Sequence, residues 1–207
     1  MKKVFDLNGG FYHFLSQLYE LLLLNVLILL ASLPLVTIAS VMITGYELLA
    51  TQKLGENKAI LGSFWEKFQA NCWRGIKIEG LLVVILGVGA SLTFVIYQTP
   101  LLFLSLLLLA AVLLFSSILL LTVAHHKLTK GRALLSYSTF ITIKYTGYFC
   151  IGMALFLSTF LIPIFLPKLL FLWLFLGISL PMLLQEKIYA FCDERLQERL
   201  SIEKGAA

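Results

Sequence analysis

The stretch LSQLYELLLLNVLILLASLPLVTIASVMITGYELLA, residues 15–50, decides the class of this protein. Only Glu20 and Glu47 are charged in it. A bilayer needs about 20 apolar residues per helix, so the run is long enough for more than one crossing. Residues 80–97, 101–124 and 146–184 have the same character. The 207-residue chain is 60% hydrophobic and 13% charged, with a mean hydropathy of +0.95. Such values exclude an ordinary soluble core and indicate an all-α, polytopic membrane helix bundle. Spans and their connections use nearly the whole chain. It therefore reads as a single membrane domain, residues 1–207, with no soluble catalytic domain beside it.

Pro34 sets the count of spans. It lacks the amide that a continuing helix would use, so a hairpin is expected there. Residues 36–53 then give about 27 Å of helix at 1.5 Å per residue, enough to return across the bilayer. Six helices follow, near 15–33, 36–53, 79–97, 101–124, 145–164 and 168–187. The expected order is a first hairpin (1–53), an amphipathic linker (54–78), a second hairpin (79–124), a linker (125–144), a third hairpin (145–187) and a cytoplasmic tail (188–207). Of the 16 Lys and Arg residues, only Lys168 falls on the outer side of this arrangement. The positive-inside rule then places both termini in the cytoplasm. A five-span alternative would put Lys2 and Lys3 outside and fits the charge less well.

Each outer turn contains proline: Leu33-Pro34-Leu35, Thr99-Pro100-Leu101, and Ile162-Pro163 through Pro167-Lys168. On the inner side, Lys53-Leu54 and Lys58-Ala59-Ile60-Leu61 match Lys127-Leu128 and Arg132-Ala133-Leu134-Leu135 in spacing, a weak internal repeat. The net charge of +5 is spread over segments flanking helices, where it meets lipid headgroups rather than nucleic acid. Cys72, Cys150 and Cys192 form no close pair and read as free thiols. The N-terminal segment superficially resembles a signal peptide with a cleavage site at Thr37-Ile38-Ala39. Polar residues separate its charged start from the apolar run, and apolar sequence continues past Ala39, so it reads as a first span.

Two segments are candidates for function. Thr37, Ser40, Thr44, Glu47 and Thr51 recur at steps of three and four and line one helix face. Polar groups at that depth turn toward the bundle or a wet cavity. Asn25 and Ser32 share a face of the preceding helix. Glu20 and Glu47 each lie about 20 Å from Pro34 by helix rise, so the two carboxylates could share a proton or a cation. The alternative is that these side chains help helices pack. The second segment is the first linker, where Leu61, Phe64, Trp65, Phe68, Cys72 and Ile76 alternate with Glu66, Lys67, Gln69, Asn71, Arg74 and Lys77. It reads either as an interfacial elbow or as a helix docking a cytoplasmic partner through Phe64, Trp65, Phe68, Lys67 and Arg74.

The second linker repeats the pattern more weakly through Leu134, Tyr137, Ile141 and Tyr145. Gly80, Gly87 and Ser91 read as packing positions. His125-His126 has no Asp, Glu or Cys near it in sequence and reads as interfacial. Pro181 predicts a kink near Gly177. No nucleophile-base motif, phosphate-cradling loop or zinc motif is present, so neither catalytic residues nor a cofactor or metal is expected.

Leu23-Leu24-Asn25-Val26-Leu27 through Ser32-Leu33-Pro34-Leu35-Val36-Thr37-Ile38-Ala39-Ser40 resembles the opening signature of the YesL family of bacterial membrane proteins. Ser63-Phe64-Trp65-Glu66-Lys67-Phe68-Gln69-Ala70-Asn71 is similar to its second signature. Ala39 stands where that family usually has glycine, and Cys72 where an aromatic is common. The resemblance implies a multi-pass protein of the bacterial cell membrane. It further implies an accessory or transport-related role beside a carbohydrate transport system or other membrane subunit, with no catalytic residue to carry over.

Overall fold

The computed structural model describes residues 10–51, 60–95, 102–126, 131–165, 168, 170, 173 and 176–205. Their regular structure is helical. It comprises α1 (Gly10–Ala31), a 3-10 turn (Leu35–Thr37), α2 (Ile38–Thr51), α3 (Ile60–Val95), α4 (Leu102–His125), α5 (Gly131–Lys144), α6 (Thr146–Phe165) and α7 (Ser179–Gly205). Lys2, Lys3, the turn Thr99-Pro100-Leu101, Pro167, and the repeat residues Lys53, Leu54, Lys58, Ala59, Lys127 and Leu128 lie outside the described residues.

Proline marks the first break as expected. Helix α1 stops at Ala31, and Pro34 is extended with φ −74° and ψ 112°. The Thr37 hydroxyl lies 2.6 Å from the Ala31 carbonyl and 2.7 Å from that of Pro34, so it satisfies the frayed end of α1. The second break is at Tyr145, where α5 and α6 meet at 93°. The third falls near Gly177, where Pro181 predicts a kink, and it is a full break. The chain turns through Gly177 and Ile178, and α7 starts afresh at Ser179 with Pro181 in its first turn, where no amide is needed.

The first linker and the third expected span are one rod. Helix α3 runs unbroken for 36 residues through the boundary expected at 78/79. Nothing near Ile78-Glu79-Gly80 stops it, because a lone helical glycine costs only about 1 kcal/mol. At 1.5 Å per residue the rod is about 54 Å long, with a polar first half and an apolar second half. Among the described residues, three helices, covering Phe14–Ala31, Ile60–Val95 and Ser105–His125, are long and apolar enough to cross a membrane. The bent pair α5–α6 makes a fourth if it counts as one span. Helix α2, with 14 residues, falls short of that length.

The core lies where α2 packs against α3, α4 and α7. Val41 and Ile43 of α2, Ile118 and Leu121 of α4, and Met182, Tyr189 and Leu196 of α7 are buried there. Farther along, the second half of α3 and the first half of α4 expose Val83, Val84, Val88, Phe94, Phe103 and Leu107. Such a surface suits hydrocarbon, where apolar exposure carries no hydrophobic penalty.

Gly75 brings α3 against α2. A Cβ there would lie 2.1 Å from the Ser40 hydroxyl and 2.4 Å from its Cα, whereas one at Gly80 would meet nothing within 4 Å. Gly75→Ala is therefore expected to cost about 1–3 kcal/mol by overpacking against backbone. Gly80→Ala should be neutral or gain up to about 1 kcal/mol. Thermal unfolding of both variants in detergent checks the pair.

Candidate functional site

The polar face of α2 survives in the structure, and its partner is α3. The Asn71 side-chain amide donates to Glu47 Oε2 at 2.8 Å, and Lys67 Nζ stands 3.5 Å from Glu47 Oε1. Lys67 also donates to Thr51 Oγ1 at 2.6 Å. About two turns before Glu47, Ser40 Oγ donates to the Cys72 carbonyl at 3.0 Å. At the start of α2 the Ala39 amide donates to Glu79 Oε2 at 3.1 Å, which places a carboxylate on the positive end of the helix. Thr44 donates to the Ser40 carbonyl within its own helix at 2.8 Å. Thr37, Ser40, Glu47 and Thr51 thus fasten helix ends and helix pairs.

Asn25 has a separate task. Its side-chain oxygen accepts the amides of Ile178 at 2.9 Å and Ser179 at 2.8 Å, capping α7 from another helix. Glu20 is buried five residues earlier on α1, while the Glu47 carboxylate is taken up by Lys67 and Asn71. The docking candidates divide between two faces. Phe64 is buried, Phe68 stacks on it with ring centres 6.1 Å apart, and Lys67 reaches α2. Arg74 is half-buried. Trp65 points outward, as does Trp73, with 58% and 76% of their surfaces exposed.

The histidine pair proves to be structural anchorage that the sequence reading missed. His126 Nε2 lies 3.2 Å from Asp193 Oδ1 on α7. Tyr137 of α5 donates to that same oxygen, and Gln197 donates to Asp193 Oδ2 at 2.9 Å. His125 tilts against the Tyr189 ring with centres 4.8 Å apart, and its Nε2 is 3.6 Å from Glu186 Oε1. Tyr189 donates to Thr122 Oγ1 at 3.1 Å. These contacts tie α4, α5 and α7 together. The available signal was Glu186, Tyr189, Asp193 and Gln197 at steps of three, four and four, one face of the tail helix. Burial alone would raise the Asp193 carboxyl. The hydrogen bonds from His126 and Tyr137 and the adjacent histidine charge outweigh it and hold the group below its ordinary value. Burial pushes the nearby Cys192 thiol up to about 11, which leaves it unreactive. Among the described residues, no group of three or more His, Cys, Asp or Glu is arranged to hold a metal ion.

Space for a ligand lies elsewhere. A cavity of about 390 Å³ is walled by α1, α2, α4, α6 and α7, including Ser32, Met42, Tyr46, Ser117, Phe156 and Gln185. Its volume is within the range of small-molecule pockets. Of the polar residues singled out in sequence, only Ser32 lines it; Asn25, Thr37, Ser40, Thr44 and Glu47 do not. Tyr46 donates to Gln185 Oε1, and Gln185 Nε2 donates to the Gly152 carbonyl at 3.2 Å, so α2, α6 and α7 are joined at the cavity wall. Comparison with protein-family models, curated proteins and solved structures finds no match for this chain.

The depressed Asp193 pKa has a signed consequence. With the folded value below the unfolded one, the stabilisation is complete above the ordinary carboxylate value of about 3.9 and is lost as pH falls through the folded value. Asp193→Asn should lower stability at neutral pH by about 1–3 kcal/mol and flatten the acid limb. Unfolding midpoints measured from neutral pH downward test this.

Proposed function

We propose that this protein is a non-enzymatic, multi-pass component of a bacterial cell membrane that assists or performs movement of a solute, with the cavity between α1, α2, α4, α6 and α7 as its binding site. The cavity is the observation that carries the reading: five helices contribute to its wall, and they are cross-linked around it by Asn25, Tyr46 and Gln185. Six crossings with both termini in the cytoplasm belong to the same proposal, on the charge asymmetry of the sequence. The carbohydrate setting implied by the family resemblance is kept as physiology. A sugar in this cavity would leave hydroxyls unpaired against Val41, Leu113 and Phe156, at the cost of burying unsatisfied polar groups. The accessory role beside a separate sugar transporter is therefore preferred. An enzymatic reading is less favoured, because the His126–Asp193–Tyr137 cluster spends its groups on one another and none of the three lines the cavity.

A docking role is the second reading. It rests on the outward Trp65 and Trp73 and on an apolar groove of about 590 Å³ between Leu27 and Leu30 of α1 and Leu61 and Trp65 of α3.

A deletion strain should take up at least one sugar in a panel more slowly by about fivefold or more, the lower end of the scale of conformational coupling energies. Wild-type protein should restore uptake, and Met42→Trp, which fills the cavity, should not. Normal uptake beside altered lipid or cell-wall composition would favour the structural or enzymatic readings instead.

A further inference from the structure

The chemistry of the cavity wall defines its ligand more narrowly. Five polar residues line it: Ser32, Tyr46, Ser116, Ser117 and Gln185. Each already has a partner. Ser32 donates to the Leu29 carbonyl at 3.0 Å, Ser116 to Leu113 at 2.7 Å and Ser117 to Leu114 at 2.9 Å. Tyr46 donates to Gln185, which donates to Gly152. The serine hydroxyl protons are thus turned back onto their own helices, and the remaining wall is Ile, Val, Leu, Met and Phe. A hydrophilic solute would find few donors free to meet it, and water needs two to four polar partners to stay. Apolar chains meet no such obstacle.

The dimensions agree. The wall runs from Leu113 to Leu120 on α4, from Ile178 just before α7 to Gln185 on it, and from Ile38 to Tyr46 on α2. Those intervals correspond to about 10–12 Å of helix rise. One leaflet of a hydrocarbon core about 30 Å thick supplies chains about 15 Å deep. The cavity wall is thus mostly apolar and spans a distance on the scale of a segment of lipid tail.

We infer that the cavity holds an alkyl chain of a bilayer phospholipid, so that the ligand of the proposed site is an amphiphile. This rests on the reading of the cavity as the binding site. The test uses the full chain, purified in detergent and titrated with dipalmitoyl phosphatidylglycerol, with bound lipid counted by native mass spectrometry. Wild type should show one saturable lipid. Ser117→Phe, which fills the cavity, should weaken it by about tenfold or more, equivalent to ~1.4 kcal/mol. The double variant Ser116→Ala/Ser117→Ala should leave it unchanged, as should Val84→Phe on the exposed face of α3. Met153→Trp is a second filling variant if Ser117→Phe is not monodisperse. Full retention in a folded filling variant overturns the inference, and so does equal weakening by the double alanine variant, which would mark a polar ligand. A lipid site that stands beside normal uptake in the deletion strain defeats the transport reading alone. Impaired uptake without a saturable lipid site defeats the lipid inference alone.

Discussion

An amide or carbonyl taken from water without a partner costs about 2–7 kcal/mol, and among the described residues the helices are interrupted at Pro34, at Tyr145 and at Gly177-Ile178. At the first and third interruptions a side chain supplies what the backbone lost. Thr37 serves the last carbonyl of α1, Glu79 the first amide of α2, and Asn25 the opening amides of α7. Pro181 reduces the need further by bringing no amide to the first turn of α7. Thr37, Asn25 and Glu79, three of the polar residues of this chain, thus act where the helices are broken, while Ser40 and Glu47 join helix to helix.

This has consequences for packing. Helix α2 is short and would be marginal alone, but it is gripped at both ends by α3, through Glu79 at its start and Lys67 and Asn71 near its finish. Gly75 lets the two backbones approach closely enough for Ser40 to reach a main-chain carbonyl. With α2 so held, Tyr46 meets Gln185 of α7 and Met182 lies against Gly45. The cavity occupies the space that these fixed helices leave toward α4 and α6. The His126–Asp193–Tyr137 cluster ties α4, α5 and α7 together, separately from that space.

Much of the helical class was legible in the sequence, because run length and charge content report directly on the solvent a segment tolerates. The break at Pro34 was also legible, since a missing amide acts locally. The unity of α3 was not: a change from polar to apolar composition alters what surrounds a helix without ending it. The face formed by Thr37, Ser40, Thr44 and Glu47 was found, but periodicity shows only that residues share a side. It cannot show whether water or another helix lies opposite, and here α3 supplies the partners. Asn25 and the His125-His126 pair illustrate the same limit over longer distance. Their partners are 153 residues away at Ile178 and 67 away at Asp193, beyond any local pattern.

Side chains from other helices close broken helix ends within the bundle. Peptide-resolved hydrogen exchange of the protein in lipid nanodiscs tests this closure at the start of α7, where the first amides have no partner within their own helix. The amides of Ile178 and Ser179 are expected to be protected to the same degree as the interior of α7, and to lose that protection in Asn25→Leu while the interior keeps it. Fast exchange at both positions in the wild-type protein would mean that α7 begins uncapped and that Asn25 does not hold it.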